Sequence, residues 1–180
     1  MDLGKYISEA WNIYIKNIVT ILVSLIVAGI VGGITLGILA VPMMMGFMML
    51  FVKAKRGQQI AVNDTFAYIG KFLPLLLGAI ALYIMILVGL ILVVIPGLIF
   101  MAWWMYTFFL MVDKNMGFGD AMKESKKIVS SKGTMMHILF LIVAGFIGGI
   151  GGALFGIGQL LTLPIGVGAV ALAYEDESKS

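Results

Sequence analysis

Three stretches of this chain contain no Asp, Glu, Lys or Arg: Asn17–Val52, Phe72–Val112 and Gly133–Tyr174, which are 36, 41 and 42 residues long. A hydrocarbon core about 30 Å thick takes roughly 20 residues of helix per crossing, so each stretch has room for two helices and a tight turn. All 12 Lys and Arg and all 9 Asp and Glu fall in the intervening segments: Met1–Lys16, Lys53–Lys71, Asp113–Lys132 and the tail from Glu175. With 62% hydrophobic and 12% charged residues over 180 positions, a soluble core cannot hide the apolar surface, and a bilayer is the solvent that accepts it.

The expected fold is therefore an all-α integral membrane domain covering residues 1–180. Six transmembrane helices are expected at about 18–40, 42–54, 72–94, 96–112, 134–156 and 159–174. Each pair forms a hairpin turned at proline: Pro42, Pro96 and Pro164. If every hairpin goes in and returns, the four charged segments share one face. The excess of Lys53, Lys55, Arg56 and Lys71 in one loop, and of Lys114, Lys123, Lys126, Lys127 and Lys132 in the next, makes that face cytoplasmic. Both termini then lie inside the cell, in a multi-pass protein of the cell membrane. The first apolar run leads straight into more apolar chain, so it reads as a retained span and not a cleaved signal peptide. Its stretch is the shortest of the three, which leaves open a hairpin that dips into the bilayer without crossing it.

The segments Leu25–Ile34 and Leu141–Ile150 match at eight of ten positions, both ending in Gly-Gly-Ile. Each lies in the first helix of its hairpin and each follows a polar helical segment. The expected unit is an interfacial helix, a span, a proline turn and a second span. It is used three times, over about 1–54, 63–112 and 120–174. In the first unit Leu3, Ile7, Ala10/Trp11, Tyr14 and Ile18 recur at helical spacing, which suits a helix lying in the headgroup plane on the cytoplasmic side. In the third, Asp120 is placed to cap the helix. There Lys126, Lys127 and Lys132 either meet anionic lipid, at about 1 kcal/mol per charge, or belong to a solvated loop helix.

Few residues carry chemistry. Gly29, Gly33 and Gly37 are four apart, as are Gly145 and Gly149, and again Gly148, Gly152 and Gly156. That spacing opens a groove for a close helix backbone, in the same chain, in a second copy, or along a pore wall. Met44/Met48 and Met45/Met49 place paired thioethers on one helix face. This arrangement suits Cu(I), although methionine is equally a pliable apolar filler. His137, the one histidine, enters the fifth expected span without an acidic residue in any span to relay a proton, and so reads as a packing or interfacial residue. The aromatic run Trp103–Phe109 resembles an interfacial belt. Cysteine is absent, no basic stripe offers a nucleic-acid surface, and no phosphate loop or metal spacing occurs in the polar segments. The expectation is a non-enzyme without cofactor, metal or nucleic-acid partner.

The aromatic-rich span, Asp113, the short glycine loop, Asp120-Ala-Met-Lys-Glu-Ser125 and Gly133 before another apolar helix together resemble uncharacterised prokaryotic multi-pass membrane families. These are similar to the membrane domain of some glycerophosphoryl diester phosphodiesterases. The resemblance covers most of the chain in topology and implies six spans. The catalytic domain of those enzymes has no counterpart here, so it implies no hydrolysis. Two functions stay open: a membrane scaffold or accessory subunit acting through helix packing and lipid contact, as a homo-oligomer or with another membrane subunit, or a passive channel or permease for a small solute, with a copper conduit as a variant.

Overall fold

The computed structural model describes residues 2–92, 94–153 and 157–179, and among these the chain is helical with no strand. The helices are α1 (Leu3–Lys16), α2 (Ile18–Ile34), α3 (Ala40–Lys55), α4 (Phe72–Leu92), α5 (Val94–Trp104), α6 (Thr107–Asp113), α7 (Phe118–Lys132), α8 (Thr134–Ile150) and α9 (Ile157–Glu177). Short 3-10 turns at Val62–Phe66 and Ile69–Lys71 lead into α4. Three segments are long and apolar enough to cross a membrane: Val62–Ile91, Ile95–Asp113 and Gly158–Glu177. There are up to five if α1 with α2, bent by 96°, and α7 with α8, bent by 101°, each count as one span.

The two bends are built differently. At the first, Asn17 keeps φ negative and its side-chain amide donates to the Ile13 carbonyl at 3.0 Å, satisfying the last turn of α1. At the second, Gly133 adopts φ 103°, a region closed to residues with a Cβ. The face α1 turns to the bundle is Tyr6, Ala10 and Tyr14, all buried. Leu3 and Ile7 are half-buried beside them, so the expected stripe faces the bundle except at Trp11 and Ile18, which are exposed.

Proline does not make the turns. α2 ends at Ile34, and the first turn is closed by Leu36 and Gly37, both at positive φ, with Thr35 Oγ1 donating to the Val31 carbonyl at 2.7 Å. Gly37 is thus a turn glycine and not part of a helix face. Pro42 and Pro96 sit in the first turns of α3 and α5, where a missing N–H costs nothing. Pro164 lies inside α9. The expected span boundaries shift accordingly, and part of the third turn, with Gly156, lies outside the described residues.

α3 and α9 form the centre. Met43, Phe47, Leu50, Phe51 and Val52 of α3 and Ala169, Ala171, Leu172, Ala173 and Tyr174 of α9 are buried. Around them, α2, α4 and α8 show apolar side chains outward: Val19, Ile34, Tyr83, Ile91 and Phe146 are each more than two-thirds exposed. Such a surface is stable only in apolar surroundings. α8 and α9 approach closely, so that a Cβ on Gly166 would overlap the Ala144 carbonyl and lie 3.0 Å from the Gly148 backbone.

Gly166→Ala is therefore expected to lower the thermal midpoint in detergent through overpacking of about 1–3 kcal/mol. Gly33→Ala, where a Cβ would meet no atom within 4 Å, should be neutral or slightly stabilising. Equal midpoints for both variants and the parent chain would refute this account of the α8–α9 contact.

Candidate functional site

The charged segments meet at one end of the helices, and Arg56 is their hub. Placed just past α3, its guanidinium holds Asp113 at the end of α6 through two bonds of 2.9 and 2.8 Å. It holds Glu175 in the last turn of α9 through Nε, at 3.0 and 2.9 Å, and Nη2, at 2.6 Å. The bonds to Asp113 and then Glu175 hold the Arg56 side chain above its ordinary pKa, so it is a permanent cation. The Tyr174 hydroxyl donates to the second Asp113 oxygen at 2.8 Å. Beside this hub Lys55 bridges Glu9 of α1 at 3.0 Å and Asp176 of α9 at 2.8 Å, and Lys5 joins Asp176 at 2.8 Å. Lys53 pairs with Asp64 at 2.6 Å, while Lys71 donates to Asn115 at 2.7 Å.

Behind the ion pairs lies a buried polar cluster. His137, one turn into α8, is fully buried. Its Nε2 lies 2.7 Å from a Glu177 oxygen, and its Nδ1 lies 2.9 Å from the Gly133 carbonyl. The Tyr106 hydroxyl donates to the same Glu177 oxygen at 3.0 Å. With an acceptor facing each ring nitrogen, the imidazole donates at both only in its charged form, whose charge Glu177 balances; with a neutral ring, one proton must come from the carboxyl. Tyr106 itself stands at the break between α5 and α6. There the Ser125 hydroxyl of α7 accepts from the Tyr106 N–H at 3.2 Å and donates to the Trp103 carbonyl at 2.7 Å, splicing the interrupted ladder.

His137 thus has an acidic partner that reading the spans does not supply, because Glu175, Asp176 and Glu177 fall beyond the last span, in the charged tail. They continue α9, and the helical spacing of Ala169, Ala173 and Glu177 was the signal. The pair lies at the charged end of the helices, where it fastens α9 to α8. Among the described residues no group of three or more His, Cys, Asp or Glu could hold a metal ion. Met45 and Met49 are buried in the core, with Met44 and Met48 half-buried against it.

The glycines divide into two sets. At Gly29, Gly33, Gly145 and Gly149 a Cβ would meet nothing within 4 Å, and at Gly152 only the Gln159 side chain at 3.9 Å. On α2 and α8 the glycines that face another helix within the chain include Gly32, 3.5 Å from Ala40, and Gly148, 3.7 Å from Gly166 and Leu163. Of the lysines expected at lipid, Lys126 lies 4.1 Å over the Trp103 ring, Lys127 is exposed with Glu124 4.0 Å away, and Lys132 is exposed. Asp120 is in the first turn of α7 and not its cap; Gly117 holds that position.

Removing Arg56 strands two carboxylates, of which Glu175 keeps only 3% of its side-chain surface. Loss of one partner of a buried pair costs about 3–5 kcal/mol. Arg56→Met is expected to lower the thermal midpoint by that order. Arg56→Lys should rescue little, since an ammonium cannot bind both carboxylates in a planar fork. Lys5→Ala, at an exposed pair, should cost less than about 1 kcal/mol. A midpoint for Arg56→Met equal to that of Lys5→Ala would contradict the hub.

No protein-family model matches the chain, and no curated protein or solved structure matches it either.

Proposed function

We propose that this chain is a non-enzymatic scaffold or accessory subunit of the cell membrane, acting by receiving helices of neighbouring subunits, in a second copy or another membrane protein. The observation that carries this reading is the open glycine face on α2 and α8, where Gly29, Gly33, Gly145 and Gly149 have no neighbour within 4 Å of a Cβ position. Lipid-embedded helices associate through small residues that let backbones come close, and an unfilled face of this kind is what such a partner requires. Two apolar clefts run along these faces. One, of about 420 Å³, lies between α2 and α9 beside Gly29, Ile30 and Leu160. The other, of about 380 Å³, lies between α8 and α9 beside Gly145, Gly149 and Met48. Gln159 lines both and offers an incoming helix an amide donor and acceptor. The apolar outer surface and the meeting of the charged segments at one end support six crossings with that end in the cytoplasm, the likeness to the phosphodiesterase-type membrane families being one of topology alone.

In mild detergent, the protein is expected to run at more than the mass of one chain. Gly33→Leu combined with Gly149→Leu should return it to a single chain without lowering its thermal midpoint. A wild-type monomer with no co-purifying subunit would remove the scaffold reading. A symmetric oligomer that passes solute into vesicles through a central opening would replace it with a channel.

For topology, single cysteines at Leu36, Ile95 and Gln159 should react with an impermeant thiol reagent from outside, and cysteines at Gln58 and Gly117 should not. Outside labelling at Gln58 would invert or break the arrangement; silence at Leu36 alone would make the first hairpin re-entrant.

A further inference from the structure

Where α1 bends into α2, the C-terminal ends of two helices converge on one cleft. It holds about 430 Å³, with Ile13, Ala54 and Ile60 half-buried around it and Lys16, Gln58 and Gln59 exposed at its edge. We infer that this cleft binds the phosphoethanolamine headgroup of a membrane lipid.

Three observations point to a zwitterion. The first is the cation. Lys53, Lys55, Arg56 and Lys71 of the neighbouring segment are all engaged by side chains of this protein, whereas Lys16 makes no ion pair or hydrogen bond among the described residues. A phosphate oxygen is the partner its ammonium lacks. The second is the pair of helix ends. α1 stops at Lys16 and α3 at Lys55, so each presents the negative end of its dipole. Asn17 takes the carbonyls of Ile13 and Tyr14, and Arg56, Gln58 and Gly57 take those of Val52, Lys53 and Ala54, which leaves the carbonyls of Ile15, Lys16 and Lys55 facing the cleft's end without a backbone donor. Those carbonyls oppose a bare anion and welcome a donor cation, while Lys16 opposes a bare cation. A ligand carrying a phosphodiester and, two carbons away, a primary ammonium satisfies both. The third is the surface beside the cleft. Trp11, Ile15, Ile18 and Val19 are 49%, 47%, 38% and 72% exposed, forming an apolar strip from α1 over the bend onto α2. Acyl chains attached to the headgroup would lie along it, with Trp11 at headgroup level. The free side-chain amides of Gln58 and Gln59 complete a rim able to donate to phosphate.

The inference rests on the membrane setting of the proposed function but not on assembly, and it is read per chain. Native mass spectrometry of the detergent-purified protein, supplied with equal amounts of phosphatidylethanolamine, phosphatidylcholine and phosphatidylglycerol of identical chains, gives the comparison. The expected result is preferential retention of one phosphatidylethanolamine per chain. Lys16→Gln should weaken that retention roughly fivefold, while Lys16→Arg and the distant control Lys123→Gln keep it. Equal retention of phosphatidylcholine, which has the phosphate but no N–H donors, would overturn the zwitterion. Stronger retention of phosphatidylglycerol would do the same. Unchanged binding in Lys16→Gln, or equal loss in Lys123→Gln, would overturn the site. Displacement of the lipid by soluble phosphoethanolamine at comparable concentration would show that the chains contribute nothing and overturn the lipid assignment. Should Lys16→Gln fail to fold, the three-lipid comparison on the wild type together with Lys16→Arg decides the question. Loss of assembly in the glycine variants, with lipid retention intact, bears only on the scaffold reading.

Discussion

A guanidinium that grips two carboxylates from different helices can do so in one relative arrangement of those helices. Arg56 therefore sets how α3, α6 and α9 meet at the charged end. Asp113 and Glu175 lie on either side of the polar helix α7 and the charge-free stretch Gly133–Tyr174, which offers no charge of its own to register the packing of α8 against α9. Lys55 and Lys5 extend the same linkage to α1 through Glu9 and Asp176. Specificity is concentrated at this end, where water still screens imperfect pairs. The apolar length of each helix is left to non-directional packing and to glycine contacts such as Gly148 on Gly166.

The interruptions in the helices obey a second constraint: backbone polar groups need partners wherever water is scarce. Side-chain hydroxyls supply several. Ser125 bridges the gap between α5 and α6. Thr162 accepts from the Gly151 N–H at 3.2 Å and donates to the Gly148 carbonyl at 3.0 Å, tying α8 to α9. Thr35 closes the end of α2. None of these residues is charged, which is why the chain breaks its helices without placing a formal charge in the apolar layer.

The sequence made legible what depends on solvent and on period. The charge-free stretches foretold long apolar helices, and the polar segment before each glycine-rich helix became a helix set across it, at bends of 96° and 101°. What stayed hidden depends on pairing across distance. Proline marked a neighbourhood, but Gly37 and Leu36 make the turn, because a proline ring fits a first helical turn as well as a loop. Four-residue glycine spacing showed where a helix is narrow. It could not show that on α2 the inward glycine is Gly32, one step off the Gly29/Gly33 register, or which of the two four-residue sets on α8 faces α9, where Gly148 does and Gly145 and Gly149 do not. The acidic run after Tyr174 read as tail since its charge invites solvation. Its role required knowing that Arg56 and His137 wait at the same end.

That the counter-charges of the hub sit in the last turn of α9 has a consequence for biosynthesis. Arg56 precedes Glu175 by 119 positions, and at elongation rates of about 5–20 residues per second it exists for roughly 6–24 s before its partner is made. Through that interval Arg56 lacks Glu175, and Lys55 and Lys5 lack Asp176; His137, made later, waits 40 positions for Glu177. The charged end then closes late, as the last turn of α9 is made. A nascent chain halted before Glu175 has the helices of the bundle but leaves Arg56, Lys5 and Lys55 only partly paired at this end.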